Sequence, residues 1–268
     1  MTCMDGVFGN HKMVALCLYF ALQLHAGVKR GIGVVRVTTV KTLVFLANSR
    51  KHLGRCVAGM VRGAQEEWIR PVSARSGHEV SEVERQYEDG SEPRVLDIVR
   101  VSVIERQPFG FQSENWLLDP GYYWEKIGRI GWDKLAVLEQ HPTTLWINGY
   151  STFHGGNDRM PVEQAGTLAD SLKLIRVDRM TLQVHAPSEA FGNPRRVVRA
   201  RFRYAGSEYA LLVTDPEYED TYLAKPNGIY KLGESFMTVS LGEPWDGSIF
   251  KLVAAIVEAA KTGTGDSA

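Results

Sequence analysis

"RRVVRARFRYAGSEYALLVTD", residues 195–215, decides how this chain is read. Between 199 and 204 arginine occupies every second position, and a β-strand sends alternate side chains to opposite faces. The spacing predicts Arg199, Arg201 and Arg203 on one face and Ala200, Phe202 and Tyr204 on the other. The Ala205-Gly206-Ser207 step reads as a tight turn, folding residues 208–213 back as the partner strand of a hairpin. Three guanidinium groups on one side of a sheet repel one another unless a negative charge offsets them. Either Asp178, Glu208, Asp215 or Glu217 supplies it from within, or a phosphate backbone supplies it from outside.

The same grammar extends outward from this hairpin. "LKLIRVDRMTLQVH" (172–185) reads as a strand before it and "ESFMTVSLGEP" (234–244) as one after it, and "SIFKLVAAIVEAA" (248–260) reads as a strand running into a helical end. In the first half, "KTLVFLANS" (41–49) and "GRCVAGMVR" (54–62) form a hairpin, and "EWIRPVS" (67–73) and "VLDIVRVSVIERQ" (95–107) are further strands. "SGHEVSEVERQYEDGSEP" (76–93) is polar, acidic and closed by a proline, which predicts a long exposed loop. "WDKLAVLEQH" (132–141) has helical spacing. About five strands and a helix in roughly a hundred residues is the size of a small Greek-key barrel. The chain is therefore expected to be mainly β, with two tandem barrels over 41–147 and 162–262, a few short helices, and a disordered tail at 263–268.

With 268 residues, 31 basic and 31 acidic side chains, 44% hydrophobic and 23% charged residues, the composition is that of a globular protein that does not coat nucleic acid by bulk charge. Any polyanion must be held by a local patch. Three cysteines build no paired framework and fit a reducing, cytoplasmic compartment. Residues 1–40 form an extension with three open readings. "MVALCLYFALQL" (13–24) has the length of a signal-peptide core but is too short to span a bilayer, and it also suits a buried helix; alternatively the native chain starts near "VTTVKTLVFLANS" (37–49). No membrane association is expected.

Motifs for catalysis are sparse. The chain has no Walker-type phosphate loop, nucleophile elbow or zincin helix, and "GIGVVR" (31–36) lacks the third glycine of a dinucleotide fingerprint. "HGGND" (154–158) is the most chemically suggestive piece, since His154 and Asp158 could share a metal or a proton, yet Gly-Gly-Asn-Asp is equally ordinary loop chemistry. No catalytic residue, metal or cofactor is assigned.

Four stretches together, "LANSRKHLGRCVAG" (46–59), "WIRPVS" (68–73), "PFGFQSENW" (108–116) and "VSLGEPWDGSIFKLVAAIV" (239–257), resemble the prokaryotic family described as the dual OB-containing domain. The resemblance runs from residue 41 to about residue 260. It implies two OB-type barrels in tandem and a tie to nucleic acid in defence or conflict systems, and it carries no catalytic residues. The expected ligand is single-stranded nucleic acid or a nucleotide-bearing molecule, and the alternative is a module that docks on a partner protein.

Candidate contacts follow from residue chemistry. Arg199, Arg201 and Arg203, extended by Arg176, Arg179, Arg195 and Arg196, offer planar forks for phosphate, with Tyr204, Tyr209 and Tyr218 for base stacking. Arg50 and Lys51, beside His52 and Arg55, sit in the first hairpin's turn, where OB barrels commonly meet ligands. Arg70 and Trp116 suit edge recognition and stacking, while core packing is the competing reading of Trp68 and Trp116.

Overall fold

A computed structural model describes residues 37–64 and 66–262, so the expectations for the N-terminal extension and the tail fall largely outside the described residues. The first half contributes β1 (Thr39–Lys51), β2 (Gly54–Val61), β3 (Trp68–Val72), helix α1 (Glu82–Arg85), β4 (Asp97–Arg106), β5 (Asn115–Leu118), β6 (Glu125–Arg129) and helix α2 (Trp132–Ala136). The second half contributes β7 (Arg159–Pro161), β8 (Leu172–Val177), β9 (Met180–His185), β10 (Val197–Tyr204), β11 (Ser207–Val213), α3 (Pro216–Leu223), β12 (Gly228–Leu232), β13 (Ser235–Leu241), β14 (Ser248–Glu258) and α4 (Ala259–Thr262).

β1 is long enough to serve two neighbours. Its first half, from Thr39 to Val44, pairs with β4, and from Leu43 onward it pairs with β2, with an irregularity between Phe45 and Ala47. This closes β1-β2-β3-β5-β4 into a ring, with β6 added on β4. All pairings are antiparallel except β3 with β5.

The second sheet has the order β12-β9-β10-β11-β14-β13-β8. β8 pairs with β13 and β9 with β10, and only Asp178 and Arg179 separate the two. Residues 172–185 are therefore one bent strand that changes partner at its kink, as β1 does in the first ring. β10, β11, β13 and β14 repeat the wiring of β2, β3, β4 and β5, down to the parallel β11–β14 pair and a helix between the third and fourth strands. The chain is mostly β and built on tandem OB-type barrels.

The 76–93 stretch is not the exposed loop its composition suggests. Val80 and Tyr87 are buried in the first barrel's core, and α1 is fixed by a capping box in which Ser81 and Glu84 exchange hydrogen bonds. The two apolar anchors are hidden in sequence by polar neighbours. Between the barrels, Leu46, Met60 and Trp68 of the first pack with Leu172, Phe236 and Ala254 of the second, and Thr238 Oγ1 donates to the Leu46 carbonyl at 2.6 Å. A shared apolar core therefore holds the two rings together.

Candidate nucleic-acid interface

The partner change at Asp178–Arg179 opens a groove. β9 and β10 pair from His185–Val197 to Met180–Phe202, whereupon the chain preceding Met180 departs toward β13 while β10 continues through Arg203 and Tyr204. The overhanging hairpin turns at Ala205 and Gly206, with φ of 46° and 80°. Between hairpin and kink lies a groove of about 680 Å³ lined by Arg179, Arg201, Arg203 and Lys231, with Asp178 as its one carboxylate. Thr181 faces Arg201 on one side and Lys231 on the other, so the two cations share one sheet face. All four cations are exposed, and none forms an ion pair among the described residues. Arg201 is oriented by Nε donation to Gln183 Oε1 at 2.7 Å and by an Nη2 contact to the His154 carbonyl at 3.4 Å.

Arg199 departs from its expected place in this row. Alternation holds, since Ala200 and Phe202 are buried on the inner face, yet Arg199 is only 4% exposed. The loop carrying "HGGND" folds over it, anchored by hydrogen bonds between Gly156 and Ala210 in both directions. Arg199 Nη1 donates to Asp158 Oδ2 at 3.0 Å and to the Ala210 carbonyl at 2.6 Å, while Asp158 also accepts from Thr152 N and Oγ1 at 2.7 and 2.6 Å. A Cβ on Gly155 would fall 1.9 Å from Asp158 Oδ2, so glycine is required there.

This loop is a lock on the sheet. His154 turns its Nε2 toward the Pro187 carbonyl at 3.0 Å, away from sharing a proton with Asp158. Among the described residues no group of three or more His, Cys, Asp or Glu side chains could hold a metal. Beneath the loop, Lys251 donates to the Ile147 carbonyl and Asn148 Oδ1 at 2.7 and 2.8 Å, and burial pulls its ammonium down to about 8. His185, 5.2 Å from His154 between ring centres, is held below the ordinary histidine range by burial and then by Arg199 and His154.

The expected stacking tyrosines are mostly inside. Tyr209 stacks on Phe202 at 5.4 Å in the core, and Tyr218 is buried with its hydroxyl on Glu258. Tyr204 is half-buried at the groove. Among the exposed rings, Phe153 is 95% exposed and edge-on to His154, and Phe191 is 88% exposed in the β9–β10 connection. Sequence reasoning missed both. Their signal is a lone phenylalanine in a turn-rich stretch, outside any alternating pattern.

The family model described as the dual OB-containing domain matches residues 41–256, from within β1 to within β14. The chain belongs to this family. No curated protein and no solved structure matches the chain. Among the described residues no helix is long and apolar enough to cross a membrane.

In this dual OB protein the cations singled out in the first barrel are committed elsewhere. Arg50 reaches Glu219 and Asp220 on α3 at 2.7 and 2.8 Å, and Lys51 pairs with Glu243, so the β1–β2 turn clasps the second barrel. Arg70, 5% exposed, donates through Nη2 to Glu114 at 2.9 Å and to Ser171 Oγ at 2.7 Å. Trp116 is half-buried under the Lys41 ammonium, and Trp68 is buried with its N–H on Gln140 Oε1. Arg176 pairs with Glu234, and Arg196 caps the carbonyls of Leu223, the last residue of α3, and of Lys225. The structure brings Arg179, Arg201 and Arg203 together and adds Lys231. It does not bring Arg199, Arg50, Lys51, Arg70 or Trp116 to them.

Proposed function

We propose that this dual OB protein binds single-stranded nucleic acid across the groove of the second barrel, with phosphates on Arg179, Arg201, Arg203 and Lys231. The observation that carries this reading is that four exposed cations converge beside a single carboxylate in a chain of zero formal net charge. Arginine forks hold phosphate oxygens in pairs, and the exposed Phe153 ring beside the Arg201 contact offers a face for a base that has no partner strand. The role in prokaryotic defence that the family resemblance implies belongs to the same proposal.

The test is fluorescence anisotropy of a labelled single-stranded oligonucleotide against the native protein, Arg203→Glu and Phe153→Ala. Both variants lie on exposed positions, so binding should weaken while the fold persists, by about 1–3 kcal/mol for loss of the stacking ring. Equal affinity for all three proteins would remove the groove from the account.

A docking role is favoured by a different feature. A cleft of about 1130 Å³ between the first barrel and the start of α3 carries Glu88, Asp89 and Glu217, none of them ion-paired among the described residues, beside Tyr123 and together with Arg94, Lys126 and Arg129, and its free carboxylates suit a basic protein segment.

A further inference from the structure

The groove of the second barrel holds a group that a purely phosphate-binding surface does not need. Asp178 is exposed at the kink between β8 and β9, next in the chain to Arg179, and it shares the groove with Arg201, Arg203 and Lys231. It forms no ion pair with any of them, and its carboxylate accepts no hydrogen bond among the described residues. On β8, just before the kink, Lys173 is neutralised by Asp170 and Arg176 by Glu234. Cations outside the groove are thus paired within the protein, while the charges inside it, of both signs, stay unpaired.

A carboxylate in this place opposes a ligand that offers only phosphates, because like charges repel. It favours a ligand that also brings a hydrogen-bond donor beside a phosphate, since bonds to a charged acceptor are among the strong ones. On a nucleic-acid backbone one group fits that description, the ribose 2′-hydroxyl, which sits on the carbon next to the one bearing the 3′-phosphate. A 3′-phosphate held by Arg179 therefore brings a 2′-hydroxyl to the neighbouring Asp178. Base edges carry donors too, but the exposed ring available for stacking lies elsewhere. Phe153 stands by His154, and Arg201 reaches the His154 carbonyl and Gln183 Oε1, leaning along β9 away from the kink.

We propose that the groove selects single-stranded RNA over DNA, with Asp178 accepting the 2′-hydroxyl of the nucleotide whose 3′-phosphate rests on Arg179. This selectivity rests on the groove being the binding surface, and adds to it the sugar that the ligand carries.

Fluorescence anisotropy of the full chain with labelled strands of about ten nucleotides tests it, using oligouridylate, oligodeoxyuridylate and 2′-O-methyl oligouridylate. The base is the same in all three, and only the first carries a 2′-hydroxyl donor. The native protein should bind oligouridylate about tenfold more tightly than either of the others. Asp178→Ala should bring the three affinities within about twofold of one another and should strengthen binding of the deoxy strand, because a repelling charge is gone. Arg203→Glu should weaken all three. Equal binding of oligouridylate and oligodeoxyuridylate by the native protein, both weakened by Arg203→Glu, overturns the RNA selectivity and leaves the groove standing. The proposal is equally overturned if the 2′-O-methyl strand binds as well as oligouridylate, or if the preference survives Asp178→Ala. Binding of none of the three, or binding indifferent to Arg203→Glu, overturns the groove and the selectivity together.

Discussion

Arg199→Ala and Arg203→Ala remove the same side chain from one strand, four positions apart, and the structure assigns them opposite consequences. Truncating Arg199 leaves the Asp158 carboxylate, 3% exposed, with the two Thr152 donors alone, and it strips the Ala210 carbonyl of a 2.6 Å bond. Loss of one member of a buried ion pair costs about 3–5 kcal/mol. Arg199 Nε is itself buried without a partner, so its removal returns about 1 kcal/mol, and a net loss of about 2–4 kcal/mol is expected. That is a large part of a typical domain stability of about 5–15 kcal/mol. Urea unfolding followed by tryptophan fluorescence and extrapolated linearly reads this loss directly. Arg203→Ala should stay within about 0.5 kcal/mol of the native protein while weakening oligonucleotide binding. Replacing both partners, Arg199→Met with Asp158→Leu, should recover most of the stability, because a packed apolar pair has no charge to desolvate. The reasoning fails if Arg199→Ala unfolds with native stability, or if it weakens oligonucleotide binding as much as Arg203→Ala does.

Burial lifts the Asp215 carboxyl at the start of α3 to about 6, against the pull of hydrogen bonds from Ile256 N and Glu217 N. A raised carboxyl contributes stability that is complete below about pH 4 and lost as pH rises through 6, so Asp215→Asn should flatten the stability profile across that window in pH-dependent urea unfolding. Arg50→Ala should cost less than about 1 kcal/mol, as its pairs with Glu219 and Asp220 are largely exposed, and should leave oligonucleotide affinity unchanged in anisotropy. His185, held low by burial and by Arg199, should gain its proton only in acid, so oligonucleotide affinity should rise as pH falls below the ordinary histidine range and His185→Gln should remove that rise.

The hairpin of β10 and β11 was legible because alternation and a small-residue turn are local properties, and both survive in the register from Arg199–Leu212 to Tyr204–Ser207. Residues 172–185 read as one strand, and the chain there is continuous. Its division into β8 and β9 reflects a change of partner, which depends on β13 and β10 and leaves no local mark. That same division makes the groove, so the site's shape was invisible while its arginines were not. β6 and β12 escaped notice because "EKIGR" and "GIYKL" are short and mostly solvent-facing, and β7 because the three residues "RMP" are too few to display the alternation of a half-buried strand. Arg199 was misplaced because its counter-charge, Asp158, is 41 residues away in a loop. The two phenylalanines belong to turns, where no periodicity tells an exposed ring from a buried one.

The most direct test of the groove is the salt dependence of single-stranded oligonucleotide affinity for the native protein and for a variant with Arg179, Arg201 and Arg203 all changed to alanine. Four phosphate contacts predict a log–log slope near −2.8 for the native protein and about −0.7 for the variant, which keeps Lys231. A native slope indistinguishable from that of the variant would contradict the account.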